Sequence, residues 1–327
     1  EEKEEPAVKR IKKDMPSELQ NVEFSKPISW NKYIPYTNVP LQLTPVDTPP
    51  IFTDDSPALC HRIHAISGRA RACSVYLKAT MGQKNPKRIP TPVFMPVGTK
   101  GCLKAVSFVE LAQDPGLKCP IILANTYHLA IQPGTELIRD FAGLHNFQGT
   151  GDHNLLTDSG GFQMVSLVKL SNVTEQGVEF ANPYKNEETM LLRPEDSIQH
   201  QNNIGANIIM ALDDVVSSIH VDPDRFTQAT HRTLRWYDRC YSHHHTNGKD
   251  QVQNLVPIVQ GGLDTELGGL REQCLAGFRH RHVELGYKIP GFAIGGLAGG
   301  EGKDAFWRVV DQSCKALPDD KPRYLMG

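Results

Sequence analysis

Short runs of consecutive apolar residues alternate with longer amphipathic stretches from about residue 58 onward. Each short run has the length and the continuous apolar character of a buried strand. The pattern predicts seven strands, at residues 91–97, 121–125, 155–158, 208–213, 255–260, 291–295 and 323–326. Before the first of them, residues 60–80 alternate between apolar and polar side chains and predict an antiparallel hairpin that is broken at Gly68.

Four longer stretches carry apolar residues at helical spacing. They predict helices at residues 194–204, 222–243, 266–285 and 303–317. The first two begin with proline and acidic residues, which favour the first turn of a helix. Because strands that alternate with helices form parallel β-α-β units, the sequence predicts an α/β fold.

Polar or glycine-rich residues follow most of the predicted strands directly. In a (β/α)8 barrel the carboxyl ends of all strands meet at one face, whereas a doubly wound sheet gathers its ligand groups at a single switch point. The spread over many strand ends favours a TIM-type (β/α)8 barrel. Since seven of its eight strands are found, the barrel is predicted to be incomplete, and an open doubly wound sheet stays as the alternative.

The first 57 residues differ in composition from the rest. All 27 glycines lie at or after Gly68, and eight of the 23 prolines lie in the first 50 residues. A proline-rich stretch of mixed charge without glycine is typical of an extended, poorly packed segment. The sequence therefore predicts a disordered leader at 1–57 and a folded domain at 58–327. The basic run at 9–13 is interpreted as solvated, with an import signal or an RNA-contacting tail as alternatives.

Composition and motifs exclude several classes of protein. Lys and Arg number 35 against 37 Asp and Glu, a net charge of −2, so any nucleic-acid site has to be a local patch. The seven scattered cysteines, without a CxxC pair, are typical of a reducing compartment. No run approaches the roughly 20 apolar residues of a membrane span. No GxGxxG follows the first strand and no GxxxxGKS/T occurs, so the common dinucleotide and P-loop sites have no support.

The segment TDSGGFQ at 157–163 is the most specific candidate for a site. Asp158 ends an apolar run and can act as a general acid or base. Gly160 and Gly161 let backbone N–H groups approach a ligand, and Phe162 can stack on a flat one. The alternative is a plain strand-to-helix turn, with Asp158 and Ser159 as caps and Phe162 in the core.

Similar groups follow three later strands. Asp213 offers a second carboxylate, although a metal site or a helix cap is the alternative there. Gln260 is followed by two glycines, and Gly296 lies in another glycine turn. Together these groups offer acceptors and an amide without the Lys or Arg that a phosphate would need. They predict a site for a neutral base with several N–H donors.

Six motifs in order resemble those of the tRNA-guanine transglycosylase family. They are NTYHL at 125–129, TDSGGFQ at 157–163, LDDVVSS at 212–218, VQGGL at 259–263, FAIGGLAGGE at 292–301 and PRYLMG at 322–327. The resemblance covers about residues 58–327 and is closest to the family's eukaryotic catalytic subunits. It implies a β/α barrel and a pentosyltransferase that exchanges the wobble guanine of tRNAs with a GUN anticodon for queuine.

The resemblance also implies roles for individual residues. Asp158 resembles the carboxylate that binds the base and acts as general acid/base, and Asp213 the carboxylate that reads the N–H edge of the base. Gly299 is expected to leave room for the cyclopentene-diol substituent of queuine. The remaining base-binding residues implied by the resemblance are Ser159, Gly160, Gly161, Phe162, Gln260, Gly296, Leu297 and Met326.

Beyond the site, the resemblance implies a structural zinc, a heterodimer with a non-catalytic homologous subunit, and a cytoplasmic location with association at the mitochondrial outer surface. The family's aspartate nucleophile and its zinc ligands lie in motifs that this sequence does not contain. The resemblance therefore predicts a C-terminally truncated chain without metal ligands. The alternatives are a non-catalytic or inactive truncated subunit that binds tRNA or base within a heterodimer, and an unrelated α/β binding protein with an open seven-stranded sheet.

Overall fold

The computed structural model of the chain describes residues 15–25, 30, 43–113, 119–149, 151–161, 171–181 and 189–326. The basic run at 9–13 and Phe162 lie outside the described residues. The strands are β1 (Leu59–Ser67), β2 (Ala70–Leu77), β3 (Ile89–Thr91), β4 (Ile121–Ala124), β5 (Asn154–Thr157), β6 (Ser171–Val173), β7 (Val178–Ala181), β8 (Thr189–Leu192), β9 (Ile208–Met210), β10 (Asn254–Val256), β11 (Ile258–Val259), β12 (Phe292–Ile294) and β13 (Arg323–Leu325). The α-helices are α1 (Phe108–Gln113), α2 (Thr126–Ile131), α3 (Thr135–Asp140), α4 (Leu144–Gln148), α5 (Pro194–Ile204), α6 (Pro223–Thr246), α7 (Leu270–Val283) and α8 (Lys303–Ala316).

A series of parallel strands forms the centre of the fold. β4 pairs with β5, β5 with β9 and β9 with β10, while β11 pairs with β12 and β12 with β13. Only Pro257, which has no N–H to donate, separates β10 from β11. β10, before the proline, pairs with β9, and β11, after it, pairs with β12. Among the described strands the order follows the sequence, without the reversal of the doubly wound alternative. The predicted α/β class with parallel strands is confirmed.

The first predicted strand, at 91–97, is wrong as a continuous strand. β3 pairs antiparallel with β2, and farther along the chain only Val97 forms a bridge to Leu123 of β4. Pro92 and Pro96 lack the N–H that a ladder requires, so this segment cannot pair along its whole length. Val97 nevertheless lies parallel to β4, beside the outer edge of the series.

Antiparallel strands occur at two places. β1 and β2 pair around Gly68, and their apolar side chains join the inner core cluster with those of β5 and β9. Three asparagines at the starts of β5, β9 and β10 donate to backbone carbonyls beside this hairpin, which therefore covers the amino-terminal ends of the parallel strands. β6, β7 and β8 form a second antiparallel sheet that the sequence pattern did not predict.

Both faces of the parallel strands are buried. In β4, Ile121 and Leu123 belong to the inner apolar cluster, whereas Ile122 and Ala124 belong to the outer cluster beneath the helices. This arrangement explains why the strands appear as continuous apolar runs rather than alternating ones. Helix α5 has the predicted bounds, whereas α7 begins four residues later than predicted, after Gly268 with φ +74°. No helix among the described residues is long and apolar enough to cross a membrane.

Part of the predicted leader packs against the domain. Leu19 is 0% exposed, and Trp30 contacts Phe292 edge-on at 5.0 Å between ring centroids. The Trp30 indole N–H donates to the Ala316 carbonyl at 2.6 Å. A poorly packed leader over 1–57 is therefore wrong for these residues, because scattered apolar side chains find a groove beside α7 and α8 that composition does not reveal.

Candidate active site

The predicted site residues lie along one edge of the sheet, because parallel strands place their carboxyl ends together. Asp158 follows β5, Asp213 lies three residues after β9, Gln260 follows β11 and Gly296 lies two residues after β12. Asp158, Asp213 and Gln260 are all buried. The side chains of Asp213 and Gln260, 47 positions apart in the sequence, are hydrogen-bonded to each other.

The segment that follows β4 holds Asp158 in place. Its Oδ1 accepts the backbone N–H of Thr126 at 2.9 Å, and its Oδ2 accepts the side-chain amide of Asn125 at 2.6 Å. Asn125 is also the N-cap of α2, where its Oδ1 accepts the N–H of His128 at 3.1 Å. The start of this helix therefore orients the carboxylate, which is fixed in a buried position suited to proton transfer.

Asp213 lies between two polar side chains. Ser159 Oγ donates to its Oδ1 at 3.2 Å, and Gln260 Nε2 donates to its Oδ2 at 2.6 Å. Burial raises the pKa of Asp213 to about 6, although these two hydrogen bonds act in the opposite direction. A carboxyl group with a pKa near neutrality can exist in either protonation state. A ligand with N–H donors would favour the charged form.

The adjacent Asp214 has a different environment. Its carboxylate is buried and accepts Nη1 of Arg225 at 2.9 Å and Nη1 of Arg232 at 2.5 Å. Its backbone N–H donates to Thr233 Oγ1 at 3.1 Å. Asp214 therefore ties the loop after β9 to α6, while Asp213 contacts Ser159 and Gln260 at the strand ends.

Glycines bring the backbone close to the site. Gly160 has φ +81° and Gly296 has φ +72°, a region that side chains rarely adopt. A Cβ at Gly296 would lie 2.6 Å from Oε1 of Gln260, and one at Gly161 would lie 3.1 Å from Cδ1 of Leu212. Within the described part of the chain, the N–H of Gly296 has no hydrogen-bond acceptor. This N–H is therefore available to a ligand.

Hydrogen bonds from helix α5 hold the loop after β5 in place. Ser197 Oγ donates to the Ser159 carbonyl at 2.7 Å. Thr157 Oγ1 donates to Oε1 of Gln201 at 2.9 Å, and Gln201 Nε2 donates to the Met210 carbonyl at 2.8 Å. Ser197 and Gln201 were not predicted from the sequence, although polar side chains on the buried face of a helix are a signal for such a network.

Leu297 and Met326 lie at the margins of the core. Leu297 is 9% exposed and belongs to the outer cluster, and Met326 is half-buried beside the inner one. The Met326 N–H donates to the Ile294 carbonyl at 3.1 Å, which continues the pairing of β13 with β12. Both residues thus follow the last two strands of the series, at the same edge as the carboxylates.

The expected room at Gly299 is absent. A Cβ there would lie 2.5 Å from Oγ and 2.6 Å from the backbone N of Ser218, and 3.0 Å from Oγ of Ser217. Glu301 fixes the turn by accepting the N–H of Ala298 at 2.7 Å and of Gly299 at 2.9 Å. The prediction that Gly299 widens the pocket is wrong, because the loop after β9 fills the space beside it.

Two further residues near the site carry no distinctive signal in the sequence. Tyr324 of β13 has its pKa raised to about 12, mainly by burial and also by the charge of Asp158. Arg271 at the start of α7 is fully buried against the turns after β11 and β12. In the sequence, an arginine near a helix start resembles a surface residue, and only the packing shows otherwise.

The described residues offer no metal site. No group of three or more His, Cys, Asp or Glu side chains among them is arranged to hold a metal ion. The seven cysteines are free thiols, and five of them are buried. These described residues therefore do not fit the zinc implied by the resemblance.

Known proteins are similar in sequence to this chain over most of its length. A family model described as queuine tRNA-ribosyltransferase matches residues 67–327. The chain is 45% identical over 258 residues to the queuine tRNA-ribosyltransferase catalytic subunit of Schizosaccharomyces pombe, which covers 79% of the chain and 59% of that relative. It is 46% identical over 239 residues to the catalytic subunit from Caenorhabditis elegans, with coverage of 73% and 55%. It is 41% identical over 239 residues to the queuine tRNA-ribosyltransferase of Shouchella clausii, with coverage of 73% and 58%.

The family model covers the candidate site, but the chain does not cover the whole of the relatives. The chain spans between 55% and 59% of the length of these three proteins. The region matched by the family model contains every strand end described above, from the loop after β4 to β13. The resemblance expected from the six motifs is confirmed, and the chain belongs to the queuine tRNA-ribosyltransferase family, the tRNA-guanine transglycosylases.

Proposed function

We propose that the carboxyl ends of the parallel strands bind a guanine-like base. In the full-length protein this site exchanges the wobble guanine of tRNAs with a GUN anticodon for queuine. One observation carries the proposal: Asp213 is a buried carboxylate held between Ser159 and Gln260, and it follows β9, which pairs with β5, the strand that Asp158 follows. Membership of the family supplies the reaction class.

The donors and acceptors of the site suit the edge of guanine. Guanine presents a ring N–H and an amino group side by side, with a carbonyl next to them. The Asp213 carboxylate can accept the two N–H groups. The second N–H of the Gln260 amide and the N–H of Gly296 can donate to the carbonyl, as amide donors do in base recognition. A base without these groups would give the buried Asp213 no hydrogen bonds beyond those from Ser159 and Gln260, so it would bind more weakly.

Asp158 is proposed as the general acid/base of the exchange. A carboxylate nucleophile bonds to the anomeric carbon of the ribose as the bond from that carbon to the base nitrogen breaks, and the electron pair of the broken bond goes to the base. The nitrogen of the incoming base then bonds to the anomeric carbon and displaces the carboxylate. Asp158 gives a proton to the departing base and takes one from the incoming base. The hydrogen bonds from Asn125 and Thr126 hold this carboxylate in position. Because Asp158 and Asp213 both contact the base in this proposal, neither is assigned as the carboxylate that attacks the sugar.

The remaining implied residues complete the pocket in this proposal. Phe162 would stack on the base, and Ser159, Gly160, Gly161, Leu297 and Met326 would form its floor and walls. We also propose that the full-length fold is a closed TIM-type barrel that starts near residue 58. The sequential order of the parallel strands and the hairpin beneath them support it.

Zinc, the heterodimer partner and the cytoplasmic location, with association at the mitochondrial outer surface, remain proposals based on the resemblance. The free state of all seven cysteines supports a reducing compartment. The fission yeast and nematode relatives are named as catalytic subunits, which supports a subunit of an assembly. A non-catalytic subunit is not favoured, because the carboxylates and the amide of the base site are all present.

Calorimetric titration of the chain with guanine tests the base site. We expect Asp213→Asn to weaken binding at least about tenfold, because the ring N–H and the amino group of guanine lose a charged acceptor. Asp140→Asn is the matched control, since Asp140 is an exposed carboxylate far from the strand ends. Equal affinity in all three proteins would exclude Asp213 from recognition. In a separate experiment, competition between queuine and its smaller aminomethyl precursor establishes which base the pocket prefers.

Incorporation of radiolabelled guanine into cognate tRNA by the full-length protein tests the role of Asp158. We expect Asp158→Asn to slow incorporation by about 10²- to 10⁴-fold, the usual effect of removing a general acid/base. The substituted amide keeps the size of the side chain and removes its proton transfer. Turnover close to that of the wild type would assign proton transfer to another group.

A further inference from the structure

Arg271, the second residue of α7, is a charged side chain with no exposed surface beside the base site. Its guanidinium donates to the carbonyl oxygens of Gly262 at 2.7 Å, Gly295 at 3.1 Å and Val259 at 3.3 Å. Within the described residues, none of its hydrogen bonds goes to a carboxylate. Buried guanidinium groups usually pair with an acid, so this environment of carbonyls alone requires an explanation.

Two of the three carbonyls bound by Arg271, those of Gly262 and Gly295, belong to the turns that carry the base-reading donors, and the third, that of Val259, ends β11. Gly262 lies two residues after Gln260, and Gly295 directly precedes Gly296. In a planar trans peptide the C=O and the following N–H point in opposite directions. Because the Gly295 carbonyl is turned toward Arg271, the Gly296 N–H is turned away from it and left for a ligand.

Close packing leaves these turns little freedom. A Cβ at Gly261 would lie 2.5 Å from the backbone N of Arg271, and a Cβ at Gly296 would lie 3.3 Å from its Nη2. On the same helix, Cys274 Sγ accepts the backbone N–H of Gln260 at 3.3 Å. Helix α7 therefore holds the end of β11 and the turns after β11 and β12 in one arrangement.

The charge of Arg271 acts in the same direction as its geometry. Burial lowers its pKa to about 10, so the group stays charged at neutral pH. Without a hydrogen-bonded carboxylate, its positive potential reaches the Gly296 N–H through a poorly screened interior. A base that gains negative charge on its carbonyl as it leaves the sugar would be stabilised at this point.

We propose that Arg271 is a positioning residue for recognition of the carbonyl group of the base, an inference that rests on the proposed function of the site. It acts through the turns after β11 and β12 and does not contact the base. Loss of the guanidinium therefore weakens binding of guanine, which has the carbonyl. 2-Aminopurine keeps the amino group but lacks both the carbonyl and the ring N–H beside it, so it binds more weakly than guanine to every variant. Its Kd nevertheless stays nearly unchanged between the wild type and the Arg271 variants, whereas a residue needed only for folding would change the Kd of both bases alike.

Calorimetric titration of the wild type, Arg271→Met and Arg271→Lys with guanine and with 2-aminopurine tests this role. The matched control is Arg281→Lys, since Arg281 is also buried on α7 but pairs with Asp238 far from the site. We expect the Kd for guanine to rise about tenfold or more in Arg271→Met and by less in Arg271→Lys, the effect of misplacing one donor. The Kd for 2-aminopurine should stay within about threefold in both variants, and Arg281→Lys should change neither Kd.

The possible results distinguish the proposed base-binding function of the site from the positioning role of Arg271. A wild type that binds neither base overturns the proposed function, and the positioning role is overturned with it. If the wild type binds guanine but Arg271→Met weakens both bases equally or weakens neither, only the positioning role is wrong. If both Arg271 variants lose a cooperative thermal transition that Arg281→Lys keeps, Arg271 serves folding, and the proposal is again wrong.

Discussion

The affinity of the site for guanine should fall as the pH is lowered, because the carboxylate of Asp213 must be charged to accept N–H groups. Burial raises the pKa of this group from 3.8 to about 6. The donors Ser159 and Gln260 moderate the shift without abolishing it. Protonation of Asp213 therefore competes with base binding in a range where an ordinary aspartate stays ionised.

The magnitude follows from the two pKa values. One pH unit below a pKa of about 6, roughly ten protonated molecules exist for each charged one, so the apparent Kd for guanine rises about tenfold between about pH 8 and pH 5. With a pKa of 3.8, more than about 90% of the groups are still ionised at pH 5, and the Kd would hardly change. Binding below the pKa of Asp213 should also release a proton.

Titration of guanine at several pH values, in buffers of different ionisation enthalpy, measures both the Kd and the released proton. Asp213→Asn is the control, because its weaker binding should not depend on pH. Among the described residues, the other acids at this edge of the sheet are Asp214, which is paired with two arginines, and Asp158, which follows the neighbouring strand β5. A flat profile in the wild type, or an unchanged slope in Asp213→Asn, would refute the assignment of the titrating group to Asp213.

Two further predictions concern stability. Asp214→Asn should lower the free energy of unfolding by about 3 kcal/mol, since it removes the buried partner of two arginines, whereas Asp140→Asn at an exposed pair should cost less than about 0.5 kcal/mol. Equal midpoints in urea would show that the buried ion pair contributes nothing. Leu19→Ala should cost about 2–4 kcal/mol because its side chain is fully buried, while Leu43→Ala, at 56% exposure, should be nearly neutral. A neutral Leu19→Ala would mean that this part of the leader does not pack in solution.

The sequence by itself predicted the α/β class of the fold and the residues that we propose for the site. Continuous apolar runs marked most of the parallel strands, because burial on both faces leaves no polar position within them. The residues directly after these runs, including Asp158, Asp213 and Gln260, were found because the ends of parallel strands meet at one edge whatever the details of packing. The strand prediction failed at 91–97, because Pro92 and Pro96 lack the N–H groups that a continuous ladder requires.

Only the tertiary structure decided what depends on contacts between distant residues. It separated Asp213 from Asp214, two adjacent acids with the same local signal, because the second meets the arginines of α6. The loop after β9 occupies the space beside Gly299. Leu19 is buried, although it lies in a segment whose composition predicts exposure to solvent. Burial and hydrogen-bond partners set the pKa of a side chain and the direction of a backbone donor. Since these partners come from other elements of the fold, no local pattern of residues encodes them.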